Sequence, residues 1–150
     1  MIRLKRVFEK RADDDGYRVL VDRKWPTGVR KESAALDYWA KELAPSEALA
    51  EFLRADPRLW LPFRARFRKE LKASPAALKT LTTLAERSKT QAVTLLSGAR
   101  DPRHAAAAIL KEALESLVVH PLPEELRDAH AHTTRRRDRA RLRAFPTHES

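Results

Sequence analysis

The amino-acid sequence predicts an α/β fold: a small mixed or mostly parallel sheet with helices packed around it, in a single compact domain. Two observations carry this prediction. Short β-rich segments and longer segments of helical spacing follow one another in the order β-β-α-α-α-α-β-α. The chain also has 150 residues, 43% hydrophobic and 35% charged, which suffices for one domain with a substantial core.

Three segments have the composition of β-strands. Residues 2–8 alternate apolar with mostly basic side chains, which is the pattern of a half-exposed strand. Residues 17–21 are β-rich and nearly continuous in apolar character, as expected of a central strand. Residues 92–96 form the third segment, so the last strand of the sheet comes from the C-terminal part of the chain.

Helical spacing dominates the residues between the second and third strands. The first helix, stopping before Pro45, is predicted from four apolar residues that share a helical face: Leu36, Trp39, Ala40 and Leu43. The later helices each start at a residue whose side chain can cap the first turn: Ser46, Asp56, Ser74 and Asp101. Because Pro62 would clash with a preceding turn, its helix either begins near Trp60 or kinks there.

Composition divides the chain and excludes several classes of protein. We predict that residues 1–117 form the α/β domain and that residues 118–150 form a basic C-terminal extension, either a surface helix or a partly disordered segment.

No apolar run approaches the ~20 residues that span a bilayer, and residues 1–10 are too charged for a secretory signal. We therefore expect a cytoplasmic protein without membrane attachment. The sequence leaves the oligomeric state open.

No cofactor or metal is predicted. The chain has no Cys, so it cannot form disulfides or thiolate metal sites. It has no P-loop and no G-x-G-x-x-G motif, and Asp13, Asp14 and Asp15 lack the alternating ligands of a calcium loop. His130 and His132 have no carboxylate at a useful spacing, which argues against a metal site there.

Two strand-to-helix junctions, residues 21–28 and 93–101, carry the side chains of a candidate ligand site. In open α/β sheets, ligands bind at the carboxyl ends of strands, beside helix N-termini. We therefore predict a small anionic or nucleotide-like ligand, with Gly98 leaving room for its close approach. The predicted contacts are Arg23, Trp25, Ser97, Arg100 and Asp101.

Catalysis at these junctions is a further hypothesis. Asp22 and His104 are the candidates for proton transfer, but spacing in the sequence identifies no catalytic pair. A purely structural interpretation competes with the ligand site. In it, Asp101 caps a helix, Arg100 pairs with Asp22 to tie two strand ends together, Trp25 belongs to the core, and His104 is a surface residue. Arg100→Ala would separate the two interpretations.

Non-specific nucleic-acid binding is an alternative function, suggested by the formal net charge of +10. Residues 1–117 contain 24 Lys and Arg against 16 Asp and Glu, whereas residues 118–150 contain 7 against 5. Most of the excess charge therefore lies in the predicted domain. Candidate phosphate contacts are Arg64, Arg68, Lys69, Arg135, Arg136 and Arg137. Alternatively, the basic residues around position 66 form a solvated helix face whose stems cover apolar surface.

Several motifs in order resemble the DUF488 family, and within it the YeaO-like group. They are I-R-L-K-R-V (2–7), V-L-V-D-R-x-W-P-x-G (19–28), L-D-x-W-x-K-E-L-A-P-S (36–46), D-P-x-x-W (56–60), F-R-x-R-F (63–67) and V-T-L-L-x-x-A-R-D-x-x-H (93–104). The resemblance runs from about Ile2 to Leu117. It implies no particular reaction, because the family has no established activity.

The chain departs from the usual pattern of that family at five polar positions. It has Thr27 in place of Arg, Ala55 in place of His, Phe67 and Ser97 in place of Tyr, and Ala105 in place of Asn. One hypothesis is that these positions line the family's pocket and that this chain is a member whose pocket has been emptied. Such a member could act by protein association. The five residues must then converge on one cleft.

Overall fold

The computed structural model describes residues 1–123 of the chain. Its strands are β1 (Ile2–Arg6), β2 (Tyr17–Leu20), β3 (Tyr38–Trp39) and β4 (Val93–Ser97). Its helices are α1 (Lys31–Ala34), α2 (Glu47–Ala55), α3 (Trp60–Ala73), α4 (Pro75–Arg87) and α5 (Ala106–Val119). The residues predicted in the extension, including Arg135, Arg136, Arg137, His130 and His132, lie outside the described part, so their roles stay predictions.

The four strands form one parallel sheet in the order β1-β4-β2-β3. The predicted α/β fold is therefore confirmed, and β2 is interior as expected. Successive residues along β2 and β4 face opposite sides of the sheet. Val19 and Leu95 belong to the main core with the helices α3, α4 and α5, whereas Leu20 and Leu96 belong to a smaller cluster on the other side.

The predicted helix over residues 36–43 is wrong. Tyr38 and Trp39 instead form β3, which pairs with Val19 and Leu20 of β2, and a short 3₁₀ turn follows. The cause is tertiary: the Ala40 N–H donates to the Leu20 carbonyl at 2.8 Å, continuing the ladder. Pairing with a buried strand thus outweighs the helical spacing of the apolar residues.

Of the four predicted helix starts, those at Ser46 and Ser74 are confirmed. The hydroxyls of Ser46 and Ser74 accept from the first turns of α2 and α4, at 3.2 and 3.1 Å. Asp56 and Asp101 instead cap 3₁₀ turns that precede α3 and α5. Because α3 begins at Trp60, Pro62 lies in its first turn, where a missing N–H breaks no helical hydrogen bond.

A buried ionic cluster holds the amino end of β2. Arg18 is 1% exposed and pairs with Asp15, which also accepts from Lys5 at 3.0 Å. The Arg18 guanidinium additionally donates to the carbonyls of Ala34 and Ala35, at 2.8 and 3.2 Å. These bonds support Ala35, whose φ of 46° is unfavourable for a residue with a side chain. The cluster therefore anchors α1 to the sheet.

None of the helices within residues 1–123 has the length and apolar character needed to cross a membrane.

Candidate functional site

The two predicted junctions meet at the carboxyl edge of the sheet. This happens because β2 and β4 are parallel neighbours, so the residues after each strand emerge side by side. The Gly98 N–H donates to Asp22 Oδ2 at 2.8 Å, and the Ser97 hydroxyl donates to Asp22 Oδ1 at 3.3 Å. Asp22 therefore joins the two junctions, although Ser97 lies 75 positions after it in the chain.

The absence of a side chain at Gly98 permits this contact. A Cβ at position 98 would lie 2.9 Å from Asp22 Oδ2 and 3.1 Å from Pro26 Cβ. The space left by the missing side chain is thus already filled by Asp22 and Pro26. Gly98 also lines the cleft described below, so the predicted approach of a ligand to its backbone stays a prediction.

Asp22 is partly buried, and the removal of its carboxylate from water raises its pKa. The hydrogen bonds from Gly98 and Ser97 favour the ionised form but do not outweigh this desolvation. Among residues 1–123, no cation forms an ion pair with Asp22. A partly desolvated carboxylate without a counter-ion is typical of functional sites, although structural networks also contain them.

A cleft of about 950 Å³ opens beside this carboxylate. Asp22, Ser97 and Gly98 line it from the strand ends, and Arg23 and Lys24 follow them in the loop after β2. α2 contributes a second set of lining residues, Glu47, Ala50, Glu51 and Arg54. The start of α5 contributes a third, Ala105, Ala106 and Ala107.

Some of the charged side chains around the cleft form ion pairs, and others do not. Arg54 pairs with Glu51 of its own helix at 2.5 Å. Arg23 donates to the Pro45 carbonyl at 2.9 Å, which links the loop after β2 to the start of α2. Within the described part of the chain, neither Arg23 nor Lys24 has an acidic partner. In addition, the N-cap of α5 is an alanine that supplies no side-chain acceptor to the first turn.

The predicted site residues divide into two groups. Asp22, Arg23 and Ser97 line the cleft, whereas Trp25, Arg100, Asp101 and His104 are not among its lining residues. Trp25 packs edge-to-face on Trp39 with 5.4 Å between ring centres, and its indole N–H donates to the Val29 carbonyl at 2.8 Å. Trp25 thus has the contacts that the structural interpretation predicts.

The second junction beyond Gly98 forms a separate surface cluster. Asp101 accepts from His104 Nδ1 at 2.8 Å and from Arg103 Nε at 3.2 Å. The hydrogen bond from His104, followed by that from Arg103, lowers the pKa of Asp101 to about 2. Arg100 is exposed, and in residues 1–123 it forms no ion pair with Asp22. The predicted tie between strand ends is made by Asp22 and Gly98 instead.

Sequence reasoning missed the part of the cleft that comes from α2. Glu47, Glu51 and Arg54 follow a helical spacing that places them on one side of α2, but nothing local indicates which element they face. Lys24 could have been included, because it lies between Arg23 and Trp25 in the first junction. Residues 1–123 contain no group of three His, Cys, Asp or Glu side chains placed to hold a metal ion.

The predicted nucleic-acid contacts on α3 are partly engaged within the domain. Arg64 pairs with Glu112 of α5 at 2.6 Å, and the Arg66 guanidinium lies 4.3 Å from the ring centre of Phe52. Arg68 and Lys69 are exposed and have no ion pair among the residues described. This mixture fits a solvated helix face at least as well as a phosphate-binding surface.

The five departures from the family pattern converge only in part. Thr27, Ser97 and Ala105 line the cleft beside Asp22. Phe67 is fully buried in the main core, and Ala55 is exposed at the end of α2, outside the cleft lining. The cleft therefore carries three of the small side chains that the emptied-pocket hypothesis requires, and two lie elsewhere.

Comparison with known proteins agrees with the resemblance in the sequence. A protein-family model described as "Inactive DUF488-N3 subclade" matches residues 1–133. The uncharacterized protein YeaO of Escherichia coli (strain K12) is 37% identical over 116 residues, covering 77% of this chain and 98% of YeaO. The uncharacterized protein Rv3073c of Mycobacterium tuberculosis is 40% identical over 113 residues, covering 75% of this chain and 92% of that protein. No solved structure gives a significant match. The chain belongs to the DUF488 family, as a YeaO-like member.

Proposed function

We propose that this chain binds a small anionic ligand in the cleft beside Asp22 and does not act on it chemically. The observation that carries the proposal is the convergence of Arg23, Lys24 and the start of α5 on one cleft of about 950 Å³. Such a volume accommodates a small metabolite or nucleotide. The protein would then be a binding module, and its ligand would occupy the edge of the sheet that ligands of α/β proteins generally use.

The charges indicate which part of the ligand binds where. An anionic group suits the loop after β2, because the cations of Arg23 and Lys24 have no acidic partner among the described residues. The first turn of α5 lies in the same cleft, and its uncapped N–H groups and helix dipole favour negative charge. Asp22 can accept a hydrogen bond from a hydroxyl or amino group of the same molecule. Phosphorylated sugars and nucleotides combine these features.

The residues present in the cleft support the proposal of binding without chemistry. Thr27, Ser97 and Ala105 occupy positions at which the family resemblance implies Arg, Tyr and Asn. The Ser97 hydroxyl donates to Asp22 over a long 3.3 Å, and no histidine that could activate it is among the described residues of the cleft lining. The description of the matching family model as inactive points in the same direction.

The test is thermal unfolding of the full chain in the presence of nucleotides, sugar phosphates and simple oxyanions. A ligand that binds the native state and not the unfolded state raises the Tm progressively as its concentration increases. For any such ligand, Arg23→Ala should weaken binding by about tenfold or more, because a charge-assisted hydrogen bond is removed. Arg100→Ala is the matched control, since Arg100 is an exposed arginine outside the cleft lining.

Each outcome has a definite meaning. Loss of binding in Arg100→Ala but not in Arg23→Ala would move the site to the second junction, where the sequence also predicted it. If none of the compounds raised the Tm with increasing concentration, the proposal would be contradicted. Chromatography of the ligand after incubation with the protein tests for catalysis. Detection of a product would contradict the proposal that the protein does not act on its ligand chemically.

A further inference from the structure

A second cleft, of about 680 Å³, lies at the carboxyl end of β1 and shares no lining residue with the first. One wall is the loop formed by residues 7–11, and the other is formed by residues 28–35, which include α1. Neither wall carries a residue of the predicted ligand site or of the predicted nucleic-acid surface on α3. The function proposed for the first cleft therefore does not account for this one.

Both walls are anchored by hydrogen bonds. In the first wall, the Glu9 N–H donates to the Arg6 carbonyl at 3.0 Å, and the Glu9 carboxylate accepts from the Arg6 N–H at 2.7 Å. Lys5 also donates to the Lys10 carbonyl at 3.0 Å. In the second wall, Val29 accepts from the Trp25 indole and Ala34 accepts from the buried Arg18, both at 2.8 Å. The cleft is therefore preorganised, which reduces the entropy lost on binding.

An aromatic ring and several cations share this cleft. Phe8 is 48% exposed, and it is the one aromatic residue among the large hydrophobic side chains that residues 1–123 leave exposed. Lys10 and Arg11 line the same wall, and Arg30 lines the opposite one. None of these three cations forms an ion pair within the described part of the chain.

The acidic residues of the cleft leave the cations in excess. Glu9 and Glu32 are the two carboxylates in its lining, and Glu9 is engaged by the backbone of the turn. Arg6 adds a further positive charge at the ring, where its guanidinium carbon lies 5.2 Å from the centre of Phe8. The surface thus combines a partly exposed aromatic ring, which the Arg6 guanidinium approaches from one side, with positive charge on both sides of a groove.

We propose that this second cleft binds a segment of single-stranded nucleic acid, with a base stacked on Phe8 and backbone phosphates on Lys10, Arg11 and Arg30. Non-specific binding of single strands relies on this combination of aromatic stacking and a positively charged groove. A duplex fits it less well, because its bases are already stacked on one another. The cations lie on both walls, which suits successive phosphates of a strand better than one small anion.

The experiment measures binding of the full chain to a fluorescent oligothymidylate of roughly ten nucleotides, within the usual site size of single-strand binders, at several salt concentrations. Phe8→Ala should weaken binding by about fivefold to a hundredfold, because it removes the ring on which a base stacks. Phe8→Tyr should bind as tightly as the unchanged chain, since it keeps the ring. A combined Lys10→Gln, Arg11→Gln and Arg30→Gln variant should have a shallower salt dependence, with the slope reduced by about 0.7 for each phosphate that is no longer neutralised.

Matched controls separate this cleft from the rest of the basic surface. Leu61→Ala removes a large exposed apolar side chain from α3, and it should leave binding unchanged. A combined Arg68→Gln and Lys69→Gln variant removes exposed cations outside the cleft, and it should weaken binding less than the triple variant. Circular dichroism melting of each variant confirms that it is folded.

Several results would overturn the proposal. These are unchanged affinity in Phe8→Ala, equal affinity for a duplex of the same length, no binding by the unchanged chain, or a larger loss of affinity in the α3 variant than in the triple variant. Competition with thymidine monophosphate distinguishes a strand from a free nucleotide. If the mononucleotide competes as well as the oligomer at equal nucleotide concentration, the strand is excluded as the preferred ligand.

Discussion

The two ends of β2 each hold a buried or partly buried carboxylate, and the structure treats them differently. Asp15 precedes the strand, is 2% exposed and contacts both Arg18 and Lys5. Asp22 follows the strand and accepts hydrogen bonds from Gly98 and Ser97, without an ion pair in the described part of the chain. Asp15 thus contacts two cations, whereas Asp22 accepts hydrogen bonds from uncharged donors and lines a cleft.

The pKa values of the two carboxylates shift in opposite directions for this reason. Burial raises the pKa of Asp15, but the Ala12 N–H and the Lys5 and Arg18 cations together outweigh burial and lower it. At Asp22, burial outweighs the two hydrogen bonds and the pKa is raised. At the two ends of β2, the charge of the neighbouring groups therefore decides whether the pKa of the aspartate is lowered or raised.

The largest expected effect is at the structural end. Arg18→Met should destabilise the fold by about 3–5 kcal/mol, because it leaves Asp15 buried beside a single cation. It also removes the donors to the Ala34 and Ala35 carbonyls. Urea denaturation measures the decrease in the free energy of unfolding. Arg3→Met is the control: it breaks the exposed pair with Asp14 and should cost less than about 1 kcal/mol. Equal decreases in the two variants would refute the contrast.

A smaller effect is expected at the cleft end. Gly98→Ala should destabilise by about 1–3 kcal/mol, because its Cβ would meet the Asp22 carboxylate and Pro26. Combining it with Asp22→Ala should recover part of this stability, with a coupling of about 0.5–3 kcal/mol. Urea denaturation of the two single variants and the double variant measures the coupling. Strict additivity would show that Asp22 is not the group that needs the glycine.

The smallest effect is on the pH dependence of stability. Because the folded-state pKa of Asp22 is raised, Asp22 favours the native state most at acidic pH, and this contribution is lost as the pH rises through that pKa. The stability of Asp22→Asn relative to the unchanged chain should therefore increase as the pH rises from acidic to neutral. Asp15 has a lowered pKa, so its stabilising contribution is present at neutral pH and is lost as the pH falls through that pKa.

The measurement is the free energy of unfolding of Asp22→Asn and Asp15→Asn between about pH 3 and 7, bracketing the ordinary aspartate pKa. Relative to the unchanged chain, Asp15→Asn should show its largest deficit at neutral pH. Parallel pH profiles for the two variants would mean that the two ends of β2 do not differ in the way described.

Much of the fold was predictable because the signals were local. The apolar segments that became β1, β2 and β4 are recognisable from composition, and the caps at Ser46 and Ser74 use nearby backbone donors. The segment around Trp39 was predicted wrongly because its spacing suits a helix in isolation. The Arg18 N–H donates to the Asp37 carboxylate at 2.8 Å, a contact across 19 positions that helps hold the segment beside β2.

Only the part of the candidate site that lies at the strand ends was predictable from the sequence. Asp22, Arg23 and Ser97 could be selected because charged or polar residues directly follow strands. The side of α2 that faces the cleft could not be selected, because its orientation depends on packing against α3 and on the bonds from Ser46 to Glu70, at 2.9 and 2.5 Å. Phe8 and Arg30 also have no shared sequence signal, and they line one cleft only through the chain's folding.

The sequence by itself determined the α/β class, the strands that carry the core, and the family, since these depend on composition, short-range spacing and ordered motifs. The tertiary structure decided which carboxylate is neutralised, that residues 38–39 extend the sheet, and which side chains share a cleft. The physical reason is that desolvation, ion pairing and strand pairing depend on neighbours distant in the chain. Asp22 and Gly98 are 76 positions apart, and their contact at 2.8 Å exists only because β2 and β4 lie side by side.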